Sequence, residues 1–171
     1  MQLGVPPVRQ APRAGAALEE DGGGEQVEGR VTLLYFAFAS NMDVRQMAKR
    51  CAGAECLGPA TLADHRFRIG LRGYATVVAE PGATVHGVLW SLHPRHEAAL
   101  DVYEGIRHGL YRKVTHPVRT AQGEERDALV YVAGDPTAGK SVPGYMEKVV
   151  AAAEHHGLPP AYIEELRASL P

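Results

Sequence analysis

Cysteine is nearly absent: the 171 residues hold two, Cys51 and Cys56. Their spacing is not CxxC, and two thiols make no disulfide framework, which points to a reducing compartment and leaves either a redox pair or two incidental thiols. Long apolar runs are missing too. No stretch approaches the ~20 residues of a membrane span, and the N-terminus has no charged segment followed by an apolar one, so neither a membrane partner nor a secretory signal is expected. Lys and Arg are scattered without a basic block and the formal net charge is −2, which argues against a nucleic-acid partner. The 8 histidines form no HxH, HExxH or HxxxH set; His93 and His96 share helical spacing but lack a third ligand, so packing or surface roles are expected and no metal is implied. Gly22-Gly23-Gly24 is not followed by Lys-Ser or Lys-Thr, and Ser40 lies outside any GxSxG setting, so neither a phosphate loop nor a nucleophile elbow is present. What these absences leave is a cytoplasmic, soluble chain of one domain, long enough to bury a core.

What is there begins after residue 30. Residues 1 to about 30 combine Pro6, Pro7 and Pro12 with Glu19-Glu20-Asp21 and Gly22-Gly23-Gly24, without an aromatic residue. Such a segment buries too little surface to offset its ordering entropy, so a flexible tail is expected, followed by a single domain over 31–171. Val31 to Phe38 is almost all apolar, as in a central strand. It breaks at Ala39-Ser40-Asn41, and Asp43 to Cys51 follows with helical spacing. A strand that turns into a helix leaves unpaired N–H groups at the turn, a ready site for a carboxylate or oxyanion. The same residues also suit an ordinary connection with Ser40 or Asn41 as helix N-cap.

Downstream, Ala54 to Leu71 reads as two strands meeting near Pro59 or Ala63-Asp64. Thr76–Ala79 and Val85–Leu92 read as a hairpin around Glu80-Pro81-Gly82, with Gly87 marking a bulge or a close backbone approach. Pro94 suits a first helical position, and that helix should stop near Glu104-Gly105. Leu110 to Val118 and Ala128 to Val132 read as strands joined at Gln122-Gly123-Glu124, and two helices, Gly144 to His156 and Pro160 to Leu170, close the chain. Many strands with short connections followed by terminal helices predict an α+β fold with a strongly curved, mostly antiparallel sheet.

Most acids fall in the tail, in turns or on helix surfaces. Glu104 stands instead between Tyr103 and Gly105, where a helix ends against a strand. A carboxylate there can point inward, where desolvation among aromatic rings would raise its pKa and suit a general base; it can equally be a solvated helix-end acid.

Several stretches together resemble the γ-glutamylcyclotransferase, or AIG2-like, family. Tyr35-Phe36-Ala37-Phe38-Ala39-Ser40-Asn41-Met42 is similar to its YFAYGSN-hydrophobic signature. Ala75-Thr76-Val77 to Pro81-Gly82 and Val85-His86-Gly87-Val88-Leu89-Trp90 resemble its hairpin. Leu100-Asp101-Val102-Tyr103-Glu104-Gly105 followed by Gly109-Leu110-Tyr111 resembles LDxxEG…G-hydrophobic-Tyr. Tyr145 takes the place of a late Pro-x-Tyr, and Gly157-Leu158-Pro159-Pro160-Ala161-Tyr162 matches a GLP-x-x-Tyr close. The order and spacing hold from about residue 32 to 170.

The resemblance implies a small, curved β-barrel with flanking helices and an intramolecular acyl transfer on a small γ-glutamyl substrate. The α-amine of the substrate attacks its own γ-carbonyl, giving 5-oxoproline and the released amino acid or amine. Glu104 is the implied general acid/base. Phe38, Ala39, Ser40, Asn41 and Met42 form the implied substrate-binding turn, and Tyr111 and Tyr145 the implied pocket wall. No cofactor, metal or covalent enzyme intermediate is implied, and a monomer or homodimer is expected. Two departures fall in the turn: Phe38 replaces a Tyr, and Ala39 replaces a Gly, which would cost on the order of 1 kcal/mol if φ had to be positive there. Alternatives are a non-catalytic small-molecule-binding protein on the same fold, or a cyclotransferase acting on a γ-glutamylated biosynthetic intermediate.

Overall fold

A computed structural model describes residues 32–171. The tail expected over residues 1–30 lies outside the described residues. Five strands form a closed barrel. β1 (Leu33–Ala37) is antiparallel to β3 (Ala75–Leu92), and β3 is antiparallel to β2 (Glu55–Ile69). β2 pairs in turn with β4 (Tyr111–Thr120), and β4 with β5 (Glu125–Ala133), again antiparallel. The ring shuts where Tyr35 of β1 meets Leu129 of β5 in the one parallel pairing. Four helices flank it: α1 (Val44–Arg50), α2 (Pro94–Tyr103), α3 (Tyr145–His155) and α4 (Pro160–Arg167). The expected α+β fold, with a curved, mostly antiparallel barrel and flanking helices, is therefore the observed one. Among the described residues no helix is long and apolar enough to cross a membrane.

Two strand expectations are corrected. Residues 55–69 are one strand, and Pro59 and Asp64 mark irregularities within it: its register against β3 shifts between Cys56 and Gly58 and between Ala63 and His65. Residues 75–92 are likewise one strand, so 76–79 and 85–92 do not form a hairpin with each other; both pair with β2. Ala63 faces Thr84 and His65 faces Ala79, so residues 80–83 stand opposite Asp64 alone. Pro81 and Gly82, read as a chain reversal, instead build a large bulge, a place in a paired strand where a missing N–H is tolerated. Asp64 secures it by adopting φ 55 and accepting a 2.9 Å hydrogen bond from Gly82 N–H. The chain reversal lies further back, at residues 70–74, where Gly70 N–H donates to Tyr74 O and Gly73 N–H to Gly70 O.

Gly87 makes the close approach expected of it. A Cβ there would lie 2.3 Å from Ala37 O and 2.8 Å from Phe36 Cζ. Pro94 does open α2, and that helix is secured by a histidine with a packing role. His96 is buried, its Nδ1 accepts from His93 N–H at 3.1 Å, and its Nε2 sits 2.9 Å from Ala52 O. The two cysteines are both free, Cys51 buried and Cys56 exposed. The core runs through the barrel and under the helices, with Phe36, Met42, Met47, Leu92, Leu100 and Met146 all fully buried.

Candidate active site

The turn after β1 is built differently from a simple helix start. Ser40–Met42 forms one turn of 3-10 helix, closed by Met42 N–H donating to Ala39 O at 2.9 Å. α1 then starts afresh, and its cap is Asp43 rather than Ser40 or Asn41: the carboxylate accepts from Arg45 N–H at 2.7 Å and Gln46 N–H at 3.1 Å. The positive end of α1 is thus occupied by the chain's own anion. The N–H groups of Ala39, Ser40 and Asn41 precede the first closed turn, and that of Ser40 is directed to the Tyr145 hydroxyl. Ala39 adopts φ −136, so the side chain that replaces glycine there brings no left-handed strain.

With Ser40 and Asn41 freed from capping, their side chains turn to other partners. Asn41 is buried and lies at the centre of a network. Its amide nitrogen donates to Tyr35 Oη at 3.0 Å and to Glu104 Oε1 at 3.3 Å. Its amide oxygen accepts from Gln46 Nε2 at 3.0 Å and Arg50 Nη1 at 2.8 Å. Gln46 Nε2 also donates to Ser40 Oγ at 3.0 Å. Gln46 and Arg50 are four residues apart on α1, so one helix face supplies both.

Glu104 arrives from the opposite side. It ends α2 in a near-helical conformation, φ −81 and ψ −5, and Gly105 then reverses the chain at φ 64. No larger residue fits that reversal, since a Cβ on Gly105 would lie 2.6 Å from Leu110 Cδ1. The half-buried carboxylate is left facing Asn41. Burial pushes its pKa above the ordinary carboxylate value, while the Arg50 guanidinium and the Asn41 amide pull it back down. Arg50 itself stacks on the Tyr103 ring, 4.5 Å from its centroid.

Two tyrosines hold the third wall by gripping one residue. Tyr111 donates its hydroxyl to Ala75 O at 2.7 Å, and Tyr145 accepts from Ala75 N–H at 3.2 Å. Tyr111 therefore presents lone pairs to the interior, whereas Tyr145 keeps its proton to donate. Burial raises both phenols, that of Tyr145 to about 12, so both remain neutral near pH 7.

These walls enclose a cavity of about 560 Å3. Phe38, Ala39, Ser40, Asn41, Glu104, Tyr111 and Tyr145 all line it, brought together from four separate stretches of chain. Met42 does not. Its side chain is fully buried in the core, its N–H is used within the 3-10 turn, and its carbonyl lies 2.7 Å from His156 Nε2. Phe38 has no hydroxyl to offer and packs edge-on against Phe67, with ring centroids 6.4 Å apart. The lining further includes Tyr35, Gln46, Arg50, Arg72, Tyr74 and Lys148, which sequence reasoning did not single out. Gln46 and Arg50 lie four apart on α1, and nothing local to that helix says that they face a carboxylate some fifty residues away. Among the described residues no group of His, Cys, Asp and Glu is placed to hold a metal ion.

A closed five-stranded barrel beside a polar cavity that holds a half-buried carboxylate defines the chain as a small α+β barrel protein with a candidate small-molecule site. The AIG2-like family profile matches residues 84–166. γ-Glutamylcyclotransferases from Mus musculus and Homo sapiens are each 29% identical over 150 residues, covering 82% of this chain and 80% of theirs. A solved structure described as a γ-glutamyl cyclotransferase superposes with a TM-score of 0.76 at 28% identity, covering 82% of this chain and 89% of that one. The chain is thus similar to γ-glutamylcyclotransferases over most of its length, and to the AIG2-like family over residues 84–166.

Proposed function

We propose that the chain is a γ-glutamyl cyclotransferase that converts the γ-glutamyl group of an amino acid or amine conjugate to 5-oxoproline. The observation that carries this reading is the Glu104 carboxylate, held in the cavity at 3.3 Å from Asn41 Nδ2 with its pKa raised by burial. The α-ammonium of the substrate is not a nucleophile until it loses a proton, and a carboxylate of raised basicity beside it takes that proton. The freed amine attacks the γ-carbonyl carbon, a C–N bond closes the five-membered ring, and the carbonyl oxygen becomes an oxyanion. Donors suited to that oxyanion are the N–H groups of Ala39 and Asn41 and the Tyr145 hydroxyl. The ring nitrogen releases its second proton to solvent, the tetrahedral centre collapses, the original amide C–N bond breaks, and Glu104 returns the proton it took to the departing amine. Because attack is intramolecular, the cavity contributes mainly by holding the folded substrate conformer. Phe38, Ala39, Ser40, Asn41, Tyr111 and Tyr145 are the proposed substrate-binding surface.

The test is incubation with γ-glutamyl-alanine and detection of 5-oxoproline, alongside Glu104→Gln. Turnover is expected in the unaltered chain, with a loss of about 10²–10⁴-fold in the variant. Turnover that survives the substitution would sink the assignment of the base. Absence of product from every γ-glutamyl compound tried would leave a binding protein on the same fold.

A further inference from the structure

Glu97, Asp101 and Glu104 follow one another at intervals of four and three residues, so the acids of α2 form one stripe that ends at the cavity. Glu104 lines the cavity; the other two do not. Both are taken up by one cation. Lys113 Nζ on β4 donates to Glu97 Oε1 and to Asp101 Oδ2, each at 2.8 Å. The second oxygen of Asp101 is occupied as well: Tyr131 on β5 donates its hydroxyl to Oδ1 at 2.7 Å.

Lys113 and Tyr131 are register partners across β4 and β5, so two side chains standing side by side grip one carboxylate. Tyr131 is buried and lines the cavity, and its ring meets that of Tyr35 edge-on at 5.7 Å. Tyr35 in turn accepts from the Asn41 amide. Tyr111 lies two residues before Lys113, hence on the same face of β4. One face of two adjacent strands therefore holds Tyr111 directly and, through Asp101, the last turn of α2 that leads into Glu104. The other end of α2 is fastened separately, by His96 at Ala52 O.

Ion pairs this exposed contribute little to stability: the side chains of Lys113 and Asp101 are 33% and 29% exposed. Their consequence is geometric. A carboxylate that takes a proton from substrate acts only within hydrogen-bond reach, and a displacement of about 1 Å can lower a rate by about 10²-fold. We propose that Asp101 is a positioning residue: held by Tyr131 and Lys113, it fixes the end of α2 on β4 and β5 and so sets where Glu104 stands relative to Asn41 and Tyr111. This rests on the cyclotransferase reading of the cavity and adds to it how the base is held in place.

The experiment compares two substitutions of opposite charge. Asp101→Asn removes a negative charge near Glu104 and Lys113→Met removes a positive one, so a purely electrostatic influence on Glu104 would be opposite in sign in the two variants. A lost grip acts in the same direction in both. The charged and titratable groups that face Glu104 are Arg50, Tyr35, Tyr111 and Tyr145, with Arg72 and Lys148 elsewhere on the lining, and none of them is substituted. Each variant is expected to lower kcat on γ-glutamyl-alanine by about 10–100-fold with KM little changed. Lys113→Arg is expected to restore most of that loss. In parallel, the Glu104 carboxyl is titrated by carbon NMR in the same proteins without substrate, its signal assigned by its disappearance in Glu104→Gln. The midpoint should fall towards the ordinary carboxylate range in both variants, because a loosened helix end readmits water to a group that burial holds up. Midpoints that move in opposite directions or stay in place overturn the positioning role. So does a lowered melting temperature with kcat unchanged, which is what a merely structural contact would give. If Asp101→Asn does not fold, Lys113→Met and Tyr131→Phe, which keeps the ring, supply the same readings. An unaltered chain without turnover removes the cyclotransferase, and the NMR midpoints then decide the positioning role by themselves.

Discussion

Glu104 is held between a desolvation that favours its neutral form and two neighbours, Arg50 and Asn41, that favour the anion; burial wins. The base form needed for attack is therefore lost as pH falls through a value above the usual carboxylate range. The acid limb of kcat/KM should have its midpoint there, and Arg50→Met should move that midpoint further up by removing the main opposing charge. A limb that stays in place in the variant would contradict the coupling. The stability sign is the reverse of a salt-bridged acid. A carboxyl raised on folding contributes stability that is complete below its unfolded pKa and lost as pH rises through its folded one. Glu104→Gln should accordingly raise the melting temperature near neutral pH while it removes turnover. Ala39→Gly should leave turnover similar or higher, since φ −136 is open to both residues. A large loss in that assay would show that the Ala39 methyl makes a contact of its own.

At the scale of elements, β2 and β3 show why punctuation residues mislead. Pro81-Gly82 has the composition of a tight turn, and nothing within ten residues tells a turn from a bulge. The difference is made by the partner strand, which carries Asp64 at φ 55 to receive Gly82 N–H. Gly87 was legible because its signal is the absence of a side chain in an otherwise apolar strand, and a Cβ there meets Ala37 O at 2.3 Å. Gly87→Ala should cost about 3 kcal/mol or more in urea unfolding, since the obstructing atom is backbone and cannot rotate away. A neutral result would mean that β1 and β3 do not run in the Ala37↔Val88 register. The cap of α1 was misplaced by two or three residues for a similar reason. Ser40, Asn41 and Asp43 are all good caps, and only the 3-10 turn between them decides that Asp43 does it.

Across the whole molecule, one buried threonine joins strands that are not neighbours in the barrel. Thr76 on β3 is fully buried and accepts from Ala133 N–H on β5 at 2.9 Å. Thr76→Val keeps the shape and leaves that N–H without its acceptor, so chemical denaturation should show a loss of about 1 kcal/mol or more. No loss would mean that water replaces the hydroxyl. The class of fold and the place of an unusual acid beside a helix-ending glycine were determined by the sequence, because apolar periodicity and Gly/Pro positions are local properties of the chain. So was the resemblance, which rests on residues in a given order. What only the tertiary structure decided is the cavity. Closing the barrel through Tyr35 and Leu129 brings the turn at residues 39–41, the end of α2, the start of β4 and the first turns of α3 around one space. Met42 drops out of that space and Arg50, Arg72 and Lys148 enter it, because the direction of a side chain depends on the register and closure of strands far from it in sequence.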